Sequence, residues 1–208
     1  MKGYNKAVCI AVLMLAAQSL SAQLRGRYLF YLHGKILEEQ GKNAVSPVFG
    51  RYEYDSIISA FTENGFQVLS EIRPAHTDVK QYAAKLAMQI DSLIRLGVVP
   101  ERIIVVGASK GAAIAVYASE LVKIKTVKYV LMGLCGKDKG LESIAAFGNF
   151  LSIYEASDFA GSCRPSLGKK AGVTSFDEIV LHLGNGHGFL YKPYREWLNP
   201  MLNWINKG

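Results

Sequence analysis

The chain has 208 residues, half of them hydrophobic and a fifth charged, with a net charge of +7. That size and balance describe one ordinary globular domain with a full core. The lysines are scattered (Lys123, Lys125, Lys128, Lys137, Lys139, Lys169, Lys170) and form no basic stripe with interleaved aromatics, which argues against nucleic-acid binding.

The N-terminus stands apart. Lys2 and Lys6 precede the apolar run VCIAVLMLAA and the small-residue stretch QSLSAQ, the layout of a secretory signal peptide. The run is about half the roughly twenty residues that a bilayer span needs. Cleavage after Ser21 or Ala22 is therefore expected. It leaves a mature domain over 23–208, with no stable membrane insertion and a periplasmic or secreted location. Losing two lysines and no acid lowers the net charge from +7 to +5. Cys9 lies inside the apolar run, so Cys135 and Cys163 remain. An even count in an exported chain admits a disulfide, with two free buried thiols as the other reading. No C-x-x-C and no clustered Cys/His spacing points to a metal, and no cofactor is expected.

Short apolar runs then alternate with amphipathic ones. The pattern predicts strands over 27–34, 66–74, 102–107, 127–135, 149–158 and 178–184. It predicts helices over 54–65, 77–97, 110–122 and 189–207, the last interrupted near Pro200. The segment 35–53 reads as a long irregular loop, in which Glu38, Glu39, Arg51 and Tyr52 are candidate substrate contacts. Strand–helix alternation at this spacing predicts an α/β fold, a mostly parallel six-stranded sheet with helices on both faces.

The stretch G-A-S-K-G at 107–111 joins the third strand to the third helix. A serine hydroxyl is a weak nucleophile unless a base, an acid orienting that base and donors for an oxyanion surround it. In G-x-S-x-G the serine sits on a strained strand-to-helix turn, and side chains at the flanking positions would clash with the neighbouring strand and helix. Ser109 is thus the candidate nucleophile. The partners should follow in the order acid, then histidine. His187, in the glycine-bracketed GNGHG, is the candidate base, with an exposed loop histidine as the plainer alternative. His76 precedes the serine, and His182 reads as a buried strand histidine. Asp158 at the end of the fifth strand is favoured as the acid over Glu155 and Asp138. Backbone N–H groups of Lys110 and of Gly34 or Lys35 are placed for an oxyanion hole. His33 and Arg73, which end the first two strands, are candidate substrate-binding residues. A turn-stabilising role for His33 and a structural salt bridge for Arg73 are the alternatives.

Taken in order, YLHG, VVGASKG, EASD and GNGHG resemble the α/β-hydrolase family from about residue 26 to the C-terminus. The resemblance is to small exported bacterial members of esterase type. It implies Ser109, Asp158 and His187 as the triad and hydrolysis of a small-molecule or glycan ester, with short acyl groups favoured. The segment 136–148 is too short for the helical cap that many members carry, so a cap-less, open site is expected. A non-catalytic binding module on the same fold is the alternative. A nucleotide-binding reading lacks both G-x-x-x-x-G-K-[ST] and a G-x-G-x-x-G after the first strand.

Overall fold

The apolar runs form strands buried on both faces, which is why they read as continuous rather than alternating. The computed structural model describes residues 26–136 and 139–207. The signal-peptide expectation for 1–22 and the competing acid Asp138 lie outside the described residues. The strands are β1 (Arg27–Leu32), β2 (Val45–Ser46), β3 (Gly50–Arg51), β4 (Phe66–Leu69), β5 (Ile103–Ala108), β6 (Lys128–Met132), β7 (Gly148–Glu155) and β8 (Val173–Leu181). The α-helices are α1 (Lys35–Gln40), α2 (Tyr54–Glu63), α3 (Val79–Arg95), α4 (Lys110–Val122), α5 (Arg164–Leu167) and α6 (Arg195–Asn206).

Six strands form one sheet in the order β4-β1-β5-β6-β7-β8, with every neighbouring pair parallel. All residues of the central β5 and β6 are buried. Alternate side chains feed two cores. Tyr28, Phe30, Ile103 and Val105 pack with Leu86 and Ile90 of α3 and Ile114 of α4. Leu29, Tyr31, Ile104 and Val106 pack with Ile57 and Phe61 of α2 and Trp197 and Met201 of α6. This is the α/β-hydrolase fold, and the carboxyl ends of its strands gather the loops in which a ligand site is expected.

Several boundaries depart from the sequence expectation. β4 stops at Leu69 because it is an edge strand paired over only four residues of β1, and the chain then leaves the sheet. β8 begins at Val173, ahead of the expected 178, because the outer strand carries polar residues such as Thr174, Ser175 and Asp177 that hide its pairing with β7. His182 lies just beyond β8 and is exposed, not buried in a strand. The segment 35–53 is largely ordered into α1 and the β2–β3 hairpin. The last helix begins at Arg195, after Pro193, and runs through Pro200 without ending there. Proline at that point removes one helical hydrogen bond, and burial of Trp197, Leu198, Met201 and Ile205 offsets the loss.

Cys135 and Cys163 are joined in a disulfide across 28 residues. The chain-entropy model gives such a loop about 3–4 kcal/mol. Replacing both cysteines by serine is accordingly expected to lower the stability read from a urea unfolding curve by about 3 kcal/mol.

Candidate active site

The turn between β5 and α4 places Ser109 at φ 53° and ψ −117°, a left-handed conformation that a residue with a side chain rarely adopts. Two glycines make it possible. A Cβ on Gly107 would lie 2.5 Å from Ala112 Cα, and one on Gly111 would lie 2.0 Å from the backbone oxygen of Leu32. Helix α4 therefore passes against both β5 and the end of β1. The Ser109 N–H donates to Met132 O at 2.8 Å, fixing the turn to the end of β6. Among the described residues the Ser109 hydroxyl makes no hydrogen bond, leaving it available to an incoming group.

His187 lies in a short 3₁₀ segment, Gly186–Leu190, beyond β8. Its Nδ1 pairs with Asp158 Oδ2 at 2.7 Å, with the aspartate side chain fully buried and the imidazole 13% exposed. Nδ1–H donating to a carboxylate leaves Nε2 of the neutral ring free to accept a proton. The imidazole also packs against Gly133, where an added Cβ would approach His187 Cε1 to 3.1 Å. Ser109 N–H reaches Met132 O and the imidazole lies on Gly133, so both loops touch the end of β6. Phe159, next to the aspartate, stacks on the imidazole with centroids 4.6 Å apart. On the other side of the histidine loop, Phe49 of the β2–β3 hairpin fills the space that a side chain on Gly188 would need.

Glu155, weighed from the sequence as a rival acid, has a different place. It is buried and accepts from the N–H groups of Leu183 (2.8 Å), Gly184 (3.3 Å) and Ser157 (3.3 Å) and from the Ser157 hydroxyl (3.2 Å). Ser157 Oγ in turn accepts from Gly186 N–H. One carboxylate thus ties the loop carrying Asp158 to the loop carrying His187. Burial alone would raise its pKa, but the hydrogen bonds it accepts outweigh that and hold it below 4.5.

Gly34 and Lys35 open α1 beside the serine. A Cβ on Gly34 would come within 3.8 Å of Ser109 Cβ. Lys35 and Lys110 are the first residues of their helices, so their N–H groups have no intrahelical acceptor. Behind this turn lies a buried ionic cluster. Glu38 pairs with Arg73 Nε at 2.8 Å and with the Lys110 ammonium. The Arg73 guanidinium also donates to His33 O. That carbonyl shares its peptide unit with the Gly34 N–H, so the arginine polarises the amide toward stronger donation. His33 accepts from Arg73 N–H at Nε2 (3.0 Å) and donates from Nδ1 to Gly34 O (2.8 Å). Burial, then the Arg73 charge, pushes its pKa down to about 4, so the ring is neutral.

These positions revise the expected substrate contacts. His33 and Arg73 are sealed from solvent and brace the turn from behind instead of lining a substrate surface. Glu38 and Tyr52 are buried, whereas Glu39 and Arg51 remain exposed. What sequence reasoning missed was the pairing of Glu38 with Arg73, Glu155 as the tie between two loops, and the stack of Phe159 on the histidine. A glutamate inside an apolar helix start and one inside the apolar run NFLSIYE were the available signals. Among the described residues no group of three or more His, Cys, Asp or Glu side chains could hold a metal ion.

The fold is shared with solved structures of low sequence identity. SOBER1 of Arabidopsis thaliana aligns over 87% of this chain and 98% of its own, at 15% identity and a TM-score of 0.59. The sugar hydrolase YeeB of Lactococcus lactis covers 88% and 89% at 13% identity and 0.57. Est1E of Butyrivibrio proteoclasticus, solved with ferulic acid bound, covers 88% of each chain at 10% identity and 0.54. No family model and no curated protein matches the sequence.

The lowered pKa of Glu155 sets a pH dependence. Its stabilisation is complete above 4.5, the carboxyl's ordinary value, and is lost as pH falls through the lower folded value. Glu155→Gln is expected to cost about 2 kcal/mol at neutral pH. Urea midpoints of variant and parent should converge as the pH is taken below 4.5.

Proposed function

We propose that this chain is a serine hydrolase of carboxylic esters, working through an acyl-enzyme. The observation that carries the reading is the 2.7 Å hydrogen bond from His187 Nδ1 to buried Asp158, set against the strained turn that presents Ser109. Ser109 Oγ attacks the ester carbonyl as His187 Nε2 takes its proton. The tetrahedral oxyanion is held by the N–H of Lys110 and that of Gly34 or Lys35. Asp158 keeps the imidazole in the required tautomer and stabilises the imidazolium. His187 then protonates the leaving alcohol, activates a water for attack on the acyl-enzyme, and the carboxylic acid leaves.

Small esters are the substrate class, in keeping with a structural neighbour that binds ferulic acid and another described as a sugar hydrolase. The reading of a cap-less site fits the short connection between β6 and β7, in which the described residues hold one 3₁₀ turn at Lys139–Ser143. Export is part of the same proposal. The signal-like 1–22 and the Cys135–Cys163 disulfide both suit an oxidising periplasmic or extracellular setting. No described helix is long and apolar enough to cross a membrane.

Hydrolysis of a short acyl ester by the purified mature protein is the test. Ser109→Ala and His187→Ala should abolish it, and Asp158→Asn should lower kcat by about 10⁴-fold through the wrong imidazole tautomer. Equal activity in parent and Ser109→Ala would refute the assignment.

A further inference from the structure

Phe159 is 78% exposed although its ring lies on the His187 imidazole, inclined by 29°. An exposed phenylalanine is unremarkable by itself. This one is held in place. Asp158 N–H donates to Glu155 O, and Gly161 N–H donates to Cys135 O. The Cys135–Cys163 disulfide closes the same loop, and Gly136 lies so near that a Cβ there would meet Phe159 O at 2.8 Å. A phenyl ring on a clamped backbone, backed by the imidazole and otherwise open, is preorganised to receive a second flat group.

Chemistry says which part of an ester would lie there. In the proposed reaction His187 Nε2 hands its proton to the leaving oxygen, so the group bonded to that oxygen sits beside the imidazole and its neighbours. The acyl oxygen is directed instead toward Gly34, Lys35 and Lys110. We propose that Phe159 forms the leaving-group subsite, selecting esters whose alcohol part presents a flat apolar face. The shared chemistry is a ring that stacks on phenylalanine, either an aryl ring or the C–H face of a sugar. This inference rests on the serine-hydrolase reading and adds the substrate class that such a site prefers.

The experiment compares parent and Phe159→Ala on propyl acetate, benzyl acetate and an O-acetylated methyl glucoside. Loss of the stack should raise KM about five- to tenfold more for a ring-bearing ester than for propyl acetate. An effect on benzyl acetate alone assigns an aryl group, and an effect on the glucoside alone assigns a sugar. Equal losses on all three, or no change on any, would overturn the subsite and leave Phe159 as a shield over the histidine. A second readout does not depend on turnover. In Ser109→Ala, the ¹H–¹³C signals of the Phe159 ring should shift saturably with benzyl alcohol or methyl glucoside. Propyl acetate turnover with no such shift overturns the subsite while the hydrolase reading stands. A saturable shift in a protein whose parent form turns over none of the esters supports a ring-binding site and overturns the hydrolase reading.

Discussion

Everything at the site depends on how closely helix α4 passes the ends of two strands. Gly107 and Gly111 leave no room for a Cβ, since the nearest backbone atoms would lie at 2.5 and 2.0 Å. That approach forces Ser109 into a left-handed conformation costing of order 1–3 kcal/mol, which the surrounding structure must overdetermine. Hydrogen bonding of Ser109 N–H to Met132 O and the burial of seven residues of α4 do so. The same approach brings Ser109 beside Gly34, where an added Cβ would lie 3.8 Å from Ser109 Cβ.

Two buried carboxylates then hold the remaining loops. Glu38 lies between Arg73 and Lys110, and through them braces the His33–Gly34 peptide and the first residue of α4. Glu155 gathers N–H groups from both the aspartate loop and the histidine loop. Buried ions are weak sources of net stability, because desolvation cancels much of their attraction. Their value here is geometric. A carboxylate with fixed donors permits few arrangements of the chains that supply them, which suits loops that must align three side chains from three strand ends.

Much of this was legible in the sequence for identifiable reasons. Buried parallel strands read as apolar runs, so all six were located, and the G-A-S-K-G turn announced itself because its steric demand can be met only by glycine. Ser109, Asp158 and His187 lie beyond the ends of β5, β7 and β8, in the chain order that the sequence reading expected. The edge strands were read less well. β4 and β8 each pair on one side only, and Thr174, Ser175 and Asp177 break the apolar pattern of β8. The residues 35–53 read as irregular because α1 spans only six residues, too few for a helical period to declare itself. Arg73 and Glu38 lie 35 positions apart, and no local pattern can announce a pairing that only the fold creates.

The central claim is that Ser109, His187 and Asp158 act as one nucleophilic unit, and acylation tests it most directly. Intact mass of the mature protein would be recorded after exposure to a fluorophosphonate, beside the Ser109→Ala and His187→Ala variants. The account predicts one adduct on the parent protein and none on either variant. A folded parent protein that takes up no adduct, or an adduct that survives replacement of Ser109, would contradict it.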